Sequence, residues 1–112
     1  MTDKIVVFSS CGSKEEGARL ARQLVEQRLA ACVSILEGVT SVYRWQGAIE
    51  EAAEVLLVIK TRRELFEQLR EELRAMHSYQ TPEVLAMPVV DGLPAYLDWL
   101  DRETGLPSSE TA

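Results

Sequence analysis

The stretch that most restricts the fold lies mid-chain, where ACVSILEGVTSVYRW runs directly into QGAIEEAAEVLLVIK across residues 31–60. It reads as two extended arms joined at Gln46 and Gly47, with Gly38 as a bulge in the first arm. Arms of about a dozen residues reach roughly 40 Å at about 3.3 Å per residue, beyond the usual strand length. The outer part of this hairpin therefore has to overhang whatever core the rest of the chain builds.

The flanks supply that core. KIVVF at 4–8 is an apolar, β-branched strand that SCGS at 10–13 punctuates. Ser13 and Glu16 have capping-box spacing, and Ala18, Ala21, Leu24, Val25 and Leu29 then share one helical face, predicting a helix over 14–28. Thr61 and Glu64 repeat the capping spacing ahead of Leu65, Phe66, Leu69, Leu73 and Met76, a second amphipathic helix that ends close to His77. EVLAMPVV at 83–90 is a further strand, with Pro88 marking an edge or a bulge. Gly92 and Pro94 open a short last helix holding Tyr96, Leu97, Trp99 and Leu100. The order is βαββαβ plus a terminal helix, a ferredoxin-like α+β sandwich. We expect one domain over 1–112, with a folded core of about 4–103 and a flexible tail at 104–112.

That arrangement puts both long helices on one face of a four-stranded antiparallel sheet. The other face should then alternate apolar with polar residues, yet VLLVI at 55–59 and IVVF at 5–8 are apolar on both sides. Leaving three such side chains in water forfeits roughly 4 to 9 kcal/mol at about 1.5 to 3 each, as much as a typical domain's stability. Other copies of the chain are the simplest cover. The overhanging ribbon, carrying Val42, Tyr43 and Trp45, offers edge hydrogen bonds and aromatic surface to a neighbouring sheet. A closed homo-oligomeric ring is the expected outcome, because a head-to-tail contact that does not close makes a filament.

Charge and motifs narrow the function. A net charge of −6 with no basic stripe argues against nucleic acid as a partner. No run approaches membrane-spanning length, and the start MTDKIVVFSS lacks the layout of a signal peptide. Cys11 and Cys32 have no CxxC spacing, so two reduced thiols in the cytoplasm are expected. His77 is the single histidine. At a helix C-terminus it either satisfies a loose carbonyl or serves as a ligand that a second protomer helps to complete. Tyr79, Pro82 and Glu83 would shape a cleft beside it, with Glu83 a hard oxygen donor, an orienting partner for the imidazole or half of an interface ion pair. Lys60 either faces an anion between subunits or snorkels into solvent. Ser9, Ser10 or Cys11 with His77 would form a nucleophile and base, but no GxSxG elbow is present. SSCGS lacks the Walker and GxGxxG glycine patterns of nucleotide sites. Glu50, Glu51, Glu54, Glu71 and Glu72 read as solvated charge.

LVEQRLAACVS (24–34), SVYRWQG (41–47), IKT (59–61), HSYQTPEV (77–84) and YLDWL (96–100) resemble, in order and spacing, the CutA divalent-cation tolerance proteins. The resemblance spans roughly residues 4–102. It implies a ferredoxin-like homotrimer with interlocked hairpins, similar to the trimeric PII signalling proteins, and a role in metal tolerance through binding of copper or another divalent metal. Where family members hold a copper-ligating cysteine and two adjacent histidines, this chain has Ser9, Met76 and His77. His77 is thus the expected metal ligand, with Cys11, two residues beyond Ser9, as the expected second, since thiolate and imidazole suit copper. Cys32 matches a common family cysteine, for which the plain reading is a small buried residue. The leading expectation is a metal-binding homotrimer that performs no reaction. Its rival is a PII-like scaffold whose intersubunit clefts, lined by Lys60, His77 and Glu83, receive a small anion or an unidentified protein partner. A hydrolase using His77 stands third.

Overall fold

The computed structural model describes residues 1–105. Its elements are β1 (Lys4–Cys11), α1 (Lys14–Glu26), β2 (Cys32–Trp45), β3 (Ala48–Arg62), α2 (Phe66–Met76), β4 (Leu85–Pro88) and α3 (Pro94–Glu103). The four strands form one antiparallel sheet in the order β2-β3-β1-β4, the expected ferredoxin-like topology. Gln46 and Gly47 both take positive φ, 50° and 84°, the twist that a two-residue hairpin connection requires. Gly38 also has positive φ, and the β2–β3 register shifts between Leu36 and Val39, so the bulge lies where the glycine predicts it.

The overhang is visible in the pairing. β1 covers only the Val55–Arg62 part of β3, whereas Ala48–Glu54 pairs with β2 alone. The molecule accordingly measures 53 × 26 × 22 Å, with a radius of gyration of 15.1 Å against about 13 Å for a compact chain of this length.

Alternation along the strands separates two faces. Ile5, Val7, Leu57 and Ile59 meet Leu20, Leu24, Leu69 and Leu73 of the two long helices in a buried core. The opposite face carries Val6, Phe8, Leu56 and Val58, all half-buried, and Leu36, Leu85 and Met87, which are exposed. α3 packs on β3 and reaches one end of this face, where Asp101 pairs with Lys4 at 3.1 Å. The rest of the apolar surface is uncovered in the single protomer.

Several boundaries differ from the sequence reading. SCGS does not stop the first strand at Phe8, because Ser9, Ser10 and Cys11 continue the ladder opposite Leu57, Leu56 and Val55. α1 ends at Glu26, two residues early, where Arg28 takes φ 61° and Leu29 N–H turns back to the Leu24 carbonyl at 3.0 Å, a Schellman closure built without glycine. Thr61 caps nothing: it lies in β3 and donates its buried hydroxyl to the Leu29 carbonyl at 2.7 Å. A single 3₁₀ turn, Arg63–Leu65, leads into α2 instead. The last strand is four residues long, not eight, at the sheet edge where Pro88 is tolerated.

Thr104 is buried and accepts from Arg62 Nε at 2.8 Å, while the Gly105 carbonyl accepts from Arg28 Nε at 2.6 Å. Residues 106–112, the remainder of the expected flexible tail, lie outside the described residues. Among the described residues no helix is long and apolar enough to cross a membrane.

Candidate functional site

The uncovered face ends in a cleft of about 720 Å³ where the hairpin meets residues 79–83. Register accounts for one wall: Ser41, Tyr43 and Trp45 on β2, with Glu50 and Glu54 on β3, all share the parity of Leu56 and Val58. Tyr79, Gln80, Thr81, Pro82 and Glu83 form the other wall. Thr81 before Pro82 keeps this segment extended as it runs toward β4. Among the described residues, three carboxylates line the cleft and no basic side chain does. Tyr43 and Trp45 are 41% and 42% exposed, so aromatic surface lies open beside negative charge.

Behind the cleft, His77 caps α2 and its side chain is completely buried. Its backbone N–H donates to the Leu73 carbonyl at 2.9 Å, which closes the helix. The imidazole does something else. Nδ1 accepts the Tyr79 N–H at 3.0 Å, so Nε2 carries the proton that it donates to the Ser10 carbonyl at 2.7 Å. One ring therefore ties the end of α2 to β1 and sets the start of the cleft wall, with the Tyr79 ring stacked obliquely at 4.8 Å between centroids.

Glu16 supports the same corner from α1. It sits at the capping-box position, and Ser13 Oγ accepts its N–H at 3.1 Å. Its carboxylate, however, accepts from Ser78 N–H at 2.8 Å and Ser78 Oγ at 2.9 Å, with His77 Nδ1 3.6 Å away. Burial pushes the Glu16 carboxyl up, but the two Ser78 donors outweigh it and hold the group below its ordinary value. Tyr79 then reaches across to donate its hydroxyl to Glu54 at 2.7 Å. Burial and that carboxylate push the Tyr79 phenol well up, so it remains a neutral donor.

Tyr79, Pro82 and Glu83 line the cleft, whereas His77 does not line it and lies buried behind Tyr79; the remaining candidates lie apart. Cys11 belongs to the helix-side core, fully buried, with its Sγ 3.5 Å from the Ser13 carbonyl and its thiol pushed up by burial. Ser9 faces the same core, and its Oγ has no hydrogen-bond partner. Met76 packs against the core from α2. His77 contacts the carbonyl of Ser10 and not its hydroxyl, so the nucleophile–base contact of a hydrolase is not made there. Cys32 is half-buried on the open face, its Sγ 3.6 Å from Lys60 Nζ. Among the described residues no three His, Cys, Asp or Glu side chains converge as a ligand group.

Sequence reasoning read Glu16 only as a capping residue and missed its link to Ser78, which joins residues 62 apart, and it took Glu50 and Glu54 for solvated charge. The signal for Glu54 was parity: Glu50, Ala52 and Glu54 continue the row of Leu56 and Val58, which places the carboxylates on the open face.

The sequence profile described as CutA1 divalent ion tolerance protein matches residues 5–103. The divalent-cation tolerance protein CutA of Thermus thermophilus is 47% identical over 89% of this chain and 97% of its own length. The chloroplastic protein CutA of Arabidopsis thaliana is 45% identical over 89% of this chain, which spans only 55% of that relative. A solved divalent cation tolerance protein (Cut A1) from Thermus thermophilus superposes with a TM-score of 0.89 at 46% identity, covering 91% of this chain and 99% of that one. In extent, in sequence and in the course of its backbone, the chain belongs to the CutA1 divalent ion tolerance family.

Proposed function

We propose that the chain works as a homotrimer that takes up a divalent cation at the cleft between the hairpin and residues 79–83. The observation that carries this reading is the lining itself: Glu50, Glu54 and Glu83 with no basic side chain among them. Carboxylate oxygens suit divalent cations. Because among the described residues the carboxylates of one protomer do not converge, the ion keeps part of its water shell or gains a ligand from a neighbouring protomer. The assembly covers the apolar face of Val6, Phe8, Leu56 and Val58, which a lone protomer leaves against water. No chemical step is assigned to the chain. Both cysteines are free thiols, which suits the reducing cytoplasm.

Copper held by His77 and Cys11 is the competing site. It requires the imidazole to give up either the Tyr79 N–H or the Ser10 carbonyl, and the thiol to leave the core. Titration of the reduced protein with Cu²⁺ and Zn²⁺ separates the two. With the cleft as the site, the combined Glu50→Gln, Glu54→Gln, Glu83→Gln variant loses saturable binding while Cys11→Ala keeps it. The reverse pattern would reject the cleft in favour of His77 and Cys11.

The PII-like scaffold remains the second reading, favoured by one observation: Lys60 lies half-buried on the open face with its ammonium bonded to Ser34 Oγ at 2.6 Å. A thermal-shift screen of small anions on the wild type and Lys60→Gln checks it, a stabilisation lost in the variant being the positive result.

A further inference from the structure

The open face of β3 has a charge order of its own. From the hairpin inward, the residues of one parity are Glu50, Ala52, Glu54, Leu56, Val58 and Lys60: an acidic end, an apolar middle and a basic end. The acidic end makes no described ion pair, and Glu54 spends one carboxylate oxygen on the Tyr79 hydroxyl. The basic end is equally unbalanced. Lys60 Nζ contacts Ser34 Oγ and Cys32 Sγ, and among the described residues no carboxylate stands within ion-pair reach of it. The other cations at that end, Lys4 and Arg62, already hold Asp101 and Glu64.

Lys60 cannot neutralise its own cleft. It lies six positions from Glu54, about 20 Å along the strand at about 3.3 Å per residue. Yet covering the apolar middle with another copy removes water from both ends at once, and a charge that loses water without gaining a partner is strongly disfavoured. A ring of identical chains is built from a heterologous contact, in which two different patches of one protomer meet the complementary patches of its neighbours. One strand face that is acidic at one end and basic at the other supplies such a pair of patches.

We infer that in the assembly each acidic cleft receives the Lys60 ammonium of a neighbouring protomer. The inference rests on the trimeric reading above and adds to it the residue that the neighbour contributes to the cleft. The cleft that holds a divalent cation is then also the socket of an intersubunit contact, and metal and ammonium compete for the same carboxylates.

A charge swap tests the pairing. Sedimentation across a dilution series in sub-denaturing urea compares the wild type with Lys60→Glu, Glu50→Lys and the double variant, Glu50 being exposed and outside the described hydrogen bonds. Each single reversal is expected to raise the concentration at which the assembly falls apart by about ten-fold or more. The double variant should return to within about three-fold of the wild type, a recovery that misfolding does not produce. Lys60→Gln, which removes the charge without reversing it, should fall between the wild type and Lys60→Glu. An assembled wild type with single reversals indistinguishable from it, or a double variant no better than the weaker single, overturns the pairing alone. A wild type that sediments as one subunit at micromolar concentration removes the assembly and the pairing together.

Discussion

Glu16 shows how one side chain comes to serve two elements. Its backbone N–H completes the Ser13 cap of α1, and its carboxylate, freed from the reciprocal half of the capping box, anchors Ser78 beyond α2. Because its folded-state value lies below the ordinary 4.5, the group contributes stability that is fully present above about pH 4.5 and is lost as the pH falls through the depressed folded value. Glu16→Gln should therefore lower stability at pH 7 by about 1 to 3 kcal/mol and flatten the loss in acid, as thermal melting from pH 7 down to pH 3 would show. Ser9 has the opposite expectation. Its buried hydroxyl has no partner, so Ser9→Ala should be neutral or raise stability by about 1 kcal/mol in urea titration. Of the cleft lining, Tyr79, Pro82 and Glu83 were legible beside the single histidine, whereas Glu50 and Glu54 read as solvated charge. The partners of His77 were not legible, because Ser10 and Glu16 come from elements more than sixty positions away, and no local pattern records such a pairing.

At the scale of elements, the hairpin was the most readable part of the molecule, since Gly38, Gln46 and Gly47 mark positions where backbone geometry admits few residues. Gly47→Val should cost about 2 kcal/mol, because a β-branched side chain at φ 84° clashes with its own backbone. Loss of melting temperature, with a smaller loss for Gly47→Asn, is the check. Helix ends were less readable for a physical reason. Arg28 adopts the left-handed conformation usually left to glycine because its side chain donates to the Gly105 and Arg102 carbonyls, both at 2.6 Å, a compensation that tertiary contacts supply. Thr61 misled in the same way: a hydroxyl three residues before a glutamate has the spacing of a cap, but a continuing strand partner and the Leu29 carbonyl claim it instead.

For the whole molecule, the two-sided apolar pattern of VLLVI and IVVF was the sequence feature with the widest reach, because it predicted a sheet with a second surface to cover. Leu56→Asp places a charge in the middle of that surface. Under the trimeric reading it should release single subunits in sedimentation while leaving far-ultraviolet circular dichroism close to that of the wild type. An assembly that persists unchanged would mean that this face is not where the copies meet. The segment after α3 is tied down separately, with Arg62 and Arg28 holding Thr104 and Gly105 against the base of the sheet. The folded unit is thus closed at one end and open along its blade.

The 53 Å length of that blade against widths of 26 and 22 Å has a hydrodynamic consequence. A solitary subunit would spin about its long axis faster than it turns end over end, so amide ¹⁵N relaxation would vary with bond direction. Uniform relaxation at a slow overall correlation time would mean that the blades do not tumble independently.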